Sequence, residues 1–212
     1  MQKTGIASFG LSVIGTKVLA TLALIGAAAS IAGLGTYATF TSSTPAEAQA
    51  ITSGTVNIAL GTDGTSANRL DIGATDIAPG DTIQRAVDLS NAGSTIDLGS
   101  LTLDTSASPS SALDTDAANG LQMTVDRCSV AWTEAGPPYV YTCGGTTQTV
   151  LASTPVIGSN LMLSNLSAMT AGQTDHLRVT LSLPATADNS MQGLASTIDF
   201  VFTGTQRTGT SQ

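Results

Sequence analysis

The chain has 212 residues, of which 10% are charged and 4% aromatic, with seven Lys and Arg against fifteen Asp and Glu and a formal net charge of −8. That length holds one domain of ordinary size with its own core. So few cations on so acidic a chain exclude a nucleic-acid grip and adsorption to anionic membrane surfaces.

The first predicted element is a leader. Lys3 and Lys17 precede the uncharged run "VLATLALIGAAASIAGLG", Val18 to Gly35. A basic start, an apolar stretch and then small residues are the marks of a secretory signal peptide. The alternative is a membrane anchor, because Val18 to Ala38 approaches the ~20 residues that span a bilayer. The run is rich in Ala and Gly and has no basic flank on its far side, which favours cleavage. Thr36 and Ala38 place small residues three and one before a cut between Ala38 and Thr39. Membrane contact then belongs to the precursor alone. Loss of residues 1–38 removes both lysines and leaves five arginines against fifteen carboxylates, a net charge of −10. A lysine-free mature chain has no ε-amine for Lys–Asn isopeptide cross-links.

Residues 39–50 form a short, polar, extended segment, residues 51–206 the folded domain, and residues 207–212 a polar tail. Within the domain, period-2 alternation predicts strands almost throughout. Val56, Ile58 and Leu60 share one face. Leu177, Val179, Leu181 and Leu183 share another, with His176, Arg178, Thr180 and Ser182 opposite; Ile198, Phe200 and Phe202 follow. Antiparallel strands with one dry and one wet face fit this pattern. Two segments slip phase, at Gly99-Ser100 and at Asp126-Arg127, where a bulge or a bend between sheets is expected. Turn chemistry separates the strands: Pro79, Gly80 and Asp81 in "APGD", then Asn91 and Gly93 in "NAGS". Ala185 to Ser196 is read as a crossover, with Gly193 breaking it before the last strand. The fold class is all-β: a single antiparallel β-sandwich of jelly-roll or Greek-key type.

Cys128 and Cys143 bracket "SVAWTEAGPPYVYT", whose Gly136-Pro137-Pro138 centre signals a turn. In an exported chain this predicts a hairpin clipped at its base by a disulfide, worth ~3 kcal/mol by chain-entropy arguments. A metal or redox pair would need C-x-x-C spacing and further ligands. His176 is the one histidine, and alternation places it on the solvent face with Asp175 opposite. No nucleophile elbow and no H-E-x-x-H stands near it in sequence. "DTDAANG", Asp114 to Gly120, resembles a calcium loop weakly, with its glycine seventh where an EF-hand needs it sixth. The expectation is a polar loop, no cofactor, no metal and no enzyme.

Three stretches resemble the TasA/camelysin (CalY) family. They are "GLGTYATF" with "AQAITSGTVNIAL", then "DIAPGDTIQRAVDLSNAGSTIDLGSLTL", then "NSMQGLASTIDFVFTGTQRTG". Together they bracket the mature domain, whereas the cysteine hairpin departs from the family's founding members. The resemblance implies processing by a SipW-type signal peptidase and a jelly-roll subunit secreted to the cell surface or biofilm matrix of a Gram-positive bacterium. It also implies head-to-tail homopolymerisation into fibres, with accessory matrix proteins as possible partners. The exposed N-terminal segment, Thr39, Phe40, Thr41, Ser42, Ser43 and Thr44, would be the donor strand, Phe40 its apolar anchor and Pro45 its end. A disordered stub is the plainer alternative for that segment. Two other functions compete: a monomeric surface adhesin on the same sandwich, and a camelysin-type metallopeptidase. The C-terminal "FTGTQRTGTSQ" has no L-P-x-T-G motif, so sortase anchoring is not expected.

Overall fold

Small polar residues alternating with Val, Ile, Leu and Phe favour pleated, half-buried backbone wherever the run is long enough. The computed structural model, which describes residues 41–44, 55–74 and 76–209, turns that pattern into two five-stranded antiparallel sheets and a two-stranded hairpin. The predicted leader, the cleavage pair Ala38 and Thr39, Phe40 and residues 45–50 lie outside the described residues.

Twelve strands occur among the described residues: β1 (Thr41–Thr44), β2 (Ala59–Leu60), β3 (Ile72–Ala74), β4 (Thr82–Ser90), β5 (Leu98–Ala107), β6 (Gln122–Cys128), β7 (Thr133–Ala135), β8 (Val140–Thr142), β9 (Thr147–Pro155), β10 (Gly158–Met162), β11 (Thr174–Ser182) and β12 (Ser196–Gln206). One sheet runs β1-β12-β5-β10, with β3 also on β12; the other runs β2-β4-β11-β6-β9. Leaving aside β1, β2 and the β7–β8 hairpin, the eight remaining strands have the strand order of a jelly roll. Among these eight the chain alternates between sheets except at β6 and β9, which share one, and the β9–β10 corner joins the sheets at one flank.

The dry faces of the two sheets meet in one core. Val87, Leu89, Leu101, Leu103, Met123, Val125, Leu177, Val179, Leu181 and Phe202 are fully buried there. The β11 alternation is as read from sequence. Val56 and Ile58 are buried too, but regular pairing of their segment begins only at Ala59, opposite Ser90.

The two phase slips have different outcomes. At Gly99 the register between β5 and β12 shifts, with Leu98 opposite Gln206 and Ser100 opposite Thr205, so a bulge absorbs the slip. A Cβ at Gly99 would lie 3.0 Å from Arg207 Cα, which explains the glycine. At Asp126-Arg127 the strand β6 stays in register with β11 through Cys128; the register shifts lie on its β9 side, at Met123/Val125 and Val125/Asp126, and no bend carries the strand to the other sheet. Cys128 faces outward, and a second apolar cluster of Ala86, Cys128, Trp132 and Tyr141 forms there under the β7–β8 hairpin. The outer face of this sheet is therefore partly dry.

The turns form as their residues dictate. Gly80 takes φ 96°, Asp81 N–H donates to Ala78 O at 2.9 Å, and Asp81 Oδ2 accepts from Ala78 N–H at 2.8 Å. Ser94 N–H closes on Asn91 O, while Gly93 is needed for closeness: a Cβ there would lie 2.6 Å from Asn57 Nδ2. The Asn91 side chain is fully buried, and neither carboxamide atom has a hydrogen-bond partner among the described residues. Ala185 to Ser196 contains one 3-10 turn, Asn189–Met191, capped by Asp188 and released by Gly193 at φ 70°.

Candidate functional site

The last strand, β12, is the seam of its sheet. Eleven residues with Ile198, Phe200 and Phe202 facing the core give it a long, regular pleat. One of its edges is paired with β5 along Ile198–Gln206. The other edge carries two short strands end to end. There β3 pairs with Ser196–Ile198, and β1 pairs with Phe202–Thr205, Thr41 opposite Thr205 and Thr44 opposite Phe202. Between them, Asp199, Phe200 and Val201 have no strand partner on that side among the described residues.

A groove of about 420 Å³ lies beside this gap. Leu60, Leu70, Ile198 and Phe200 line it with apolar surface, and Asp63, Asp71 and Asp199 add carboxylates. None of the three has a cationic partner among the described residues. Of the predicted donor residues, Thr41 to Thr44 form a strand, paired on one side only among the described residues. What this edge can do is bind extended backbone: unpaired main-chain donors and acceptors template another strand.

The second notable region is the wet face of the other sheet, under the hairpin. The predicted bridge between Cys128 and Cys143 is present, with Cα atoms 5.7 Å apart. Glu134 on β7 receives a two-pronged contact from Arg69, 2.9 Å on each arm, and a 2.9 Å bond from the Tyr141 hydroxyl. The Arg69 hydrogen bond holds the Glu134 carboxyl below its ordinary range. Burial, then the bond to Glu134, pushes the Tyr141 phenol up to about 12. The guanidinium groups of Arg69 and Arg85 lie 4.7 and 5.2 Å from the Tyr139 ring centre, and that of Arg178 lies 4.5 Å from Trp132. The alternation pattern gave no sign of this ladder. Its one sequence signal is that the cations after residue 38 are all arginine, the residue that stacks on aromatic rings.

His176 does lie on the outer face, but half-buried rather than free in solvent. Its Nδ1 is 2.6 Å from Asp88 Oδ1, and its carbonyl accepts from the Trp132 indole. Asp175 points the other way, buried, and binds Arg127 and the N–H groups of Ser167 and Ala168. In the loop resembling a calcium site, a four-residue helix α1 (Ala112–Thr115) is capped by Ser111. The Asp114 oxygens take Ser110, Ser111 and Ser196; those of Asp116 take the backbone N–H groups of Ala118 and Asn119 and the Asn119 side chain.

The sequence pattern of the family described as Camelysin metallo-endopeptidase matches residues 13–211. The chain belongs to this family. No curated protein and no solved structure matches it. The camelysin name implies a metal, and the donor set of the described residues does not fit one. The only histidine is committed to Asp88, both cysteines are in the bridge, and no group of three His, Cys, Asp or Glu converges among the described residues. Nor does any described helix have the length and apolarity to cross a membrane.

Proposed function

We propose that this camelysin-family chain is a secreted structural subunit. On this reading it polymerises head to tail into extracellular fibres once a SipW-type peptidase has removed its leader. The observation that carries the reading is the placement of β1. Among the described residues its strand partner is β12 of its own chain, along one edge. The same slot on a second copy offers the same bonds, so the strand can be exchanged between copies with little net change in pairing. Ten residues, 45–54, join β1 to the described core, a length of chain that spans at most ~35 Å. A contact made this way is heterologous and does not close on itself, so it propagates as a filament.

A role without catalysis is in keeping with the donor inventory of the described residues, in which no group of His, Cys, Asp and Glu converges to hold a metal. The test is negative-stain electron microscopy of the chain starting at Thr39 beside one starting at Ala46. Filaments from the first alone are expected. Filaments from both would remove β1 from the mechanism, and filaments from neither would favour a monomeric surface module.

A further inference from the structure

Among the described strands, β7 and β8 alone stand outside the two five-stranded sheets, paired only with each other. The arm that carries them, residues 130–145, rests on the outer face of one sheet through side chains. Trp132 and Tyr141 are its buried feet, 8% and 4% exposed, beside Ala86 and Cys128. This cluster is small and separate from the sandwich core. The polar ties are few as well: Glu134 to Arg69, the Trp132 indole to His176 O, and Tyr141 N–H to Gln84 Oε1 at 3.3 Å. On the same outer face Arg178 Nε and Thr180 Oγ1 are buried with no hydrogen-bond partner among the described residues. Water would satisfy both if the arm were lifted.

The base of the arm is held in two ways. At the neck, Cys128 lies opposite Thr147 of β9. Ser129 N–H donates to Thr146 O at 3.0 Å, and Thr146 N–H donates to Ser129 Oγ at 2.9 Å. These bonds continue the sheet and need no bridge. Beyond the neck, the disulfide pins Cys143 to Cys128. Only Gly144 and Gly145 separate the pinned residue from Thr146, and glycine backbone rotates most freely. Without the pin, the neck stays and the arm keeps only its few side-chain ties.

We propose that the Cys128–Cys143 bridge is a redox clasp: reduction frees the arm to swing off the outer face on its Gly144-Gly145 joint while the sandwich stays folded. A dithiol reductant supplies the two electrons. Its thiolate attacks Sγ of Cys143, the more exposed of the pair, and the S–S electron pair leaves on Cys128. The reagent's second thiol then displaces Cys143. The products are two protein thiols, which carry the reagent's two protons, and the reagent's own disulfide. Opening withdraws Glu134 and the Tyr139 ring from Arg69, the same ring from Arg85, and Trp132 from Arg178. Three of the five arginines after residue 38 lose their cover together, and reoxidation covers them again.

Trp132 is the only tryptophan of the chain, so its fluorescence reports the arm. The full chain is compared oxidised, reduced with dithiothreitol, and as the Cys128→Ser/Cys143→Ser variant, with free thiols counted by mass after alkylation. Reduction should raise acrylamide quenching of Trp132 at least about threefold, shift its emission to the red and strip hydrogen-exchange protection from β8. Protection in β11 should persist, and melting should stay cooperative. The double variant should give the open signal without reductant, and reoxidation of the wild type should restore the closed one. Trp132 equally shielded with both thiols free would overturn the proposal. So would loss of protection in β11 together with β8, which would make the bridge a staple of the whole fold. A bridge that resists dithiothreitol until the sandwich melts would overturn it too. If the variant fails to fold, the wild type reduced in its folded state decides alone. None of these readouts depends on filament formation, so they stand or fall apart from the fibre reading.

Discussion

The sandwich has two flanks, and their edge strands differ in kind. At one, β12 runs as a long flat pleat whose outer edge is covered piecemeal by β3 and β1, beside an acidic-rimmed groove. At the other, β9 and β10 are bulged, short of regular partners and free of charge. The first flank offers backbone and discourages like-charged side chains; the second offers side chains and discourages backbone.

The contrast can be broken most severely at the core. Phe202 is fully buried on β12, and Phe202→Ala should cost ~3–5 kcal/mol. Leu161→Ala on half-buried β10 should cost ~1–2 kcal/mol. Equal losses in urea titrations would mean that the two edge strands are equally anchored. Next in size is the bridge. Cys128→Ser/Cys143→Ser should lose ~3 kcal/mol while leaving filament formation intact, since the hairpin sits on neither flank. Loss of filaments from a variant still folded by circular dichroism would tie the hairpin to assembly.

A smaller effect should follow from proline in β1. Of Ser42 and Ser43, alternation turns one N–H toward β12 and the other away. One of Ser42→Pro and Ser43→Pro should therefore cut filament yield about tenfold, equivalent to ~1.4 kcal/mol. The thermal midpoint of the domain should hardly move in either. The smallest expected effect is a pH slope. The Tyr141 phenol is raised from 10.0 to about 12 in the fold, so the unfolded chain releases its proton first as pH rises. Stability should be flat below pH 10 on this account and fall between pH 10 and about 12. Tyr141→Phe should remove that part of the slope in pH-dependent melts.

Much of the fold was legible because its signal is local. Alternation in β11 and β12 needs only neighbouring residues to read, and the slip at Gly99 became the bulge that period-2 logic requires. The slip at Asp126-Arg127 was misread for a physical reason. Apolar residues changed faces because a hairpin later in the chain covers the outer one, and that cover lies beyond any local window. The same limit hid the contact between Arg69 and Glu134, 65 residues apart. The candidate edge was half legible. The short polar N-terminal segment stood out as strand-like, but its partner Phe202–Thr205 lies some 160 residues away, and no local pattern names it.

The position of β12 also orders events in time. Among the described strands, β1 and β3 have no sheet neighbour other than β12, which is made last. Until residue 206 has left the ribosome, the sheet lacks its seam, and its closure waits on contacts of very long sequence separation. A chain built this way folds after synthesis rather than during it. Among the described strands β1 has no partner until that seam is made.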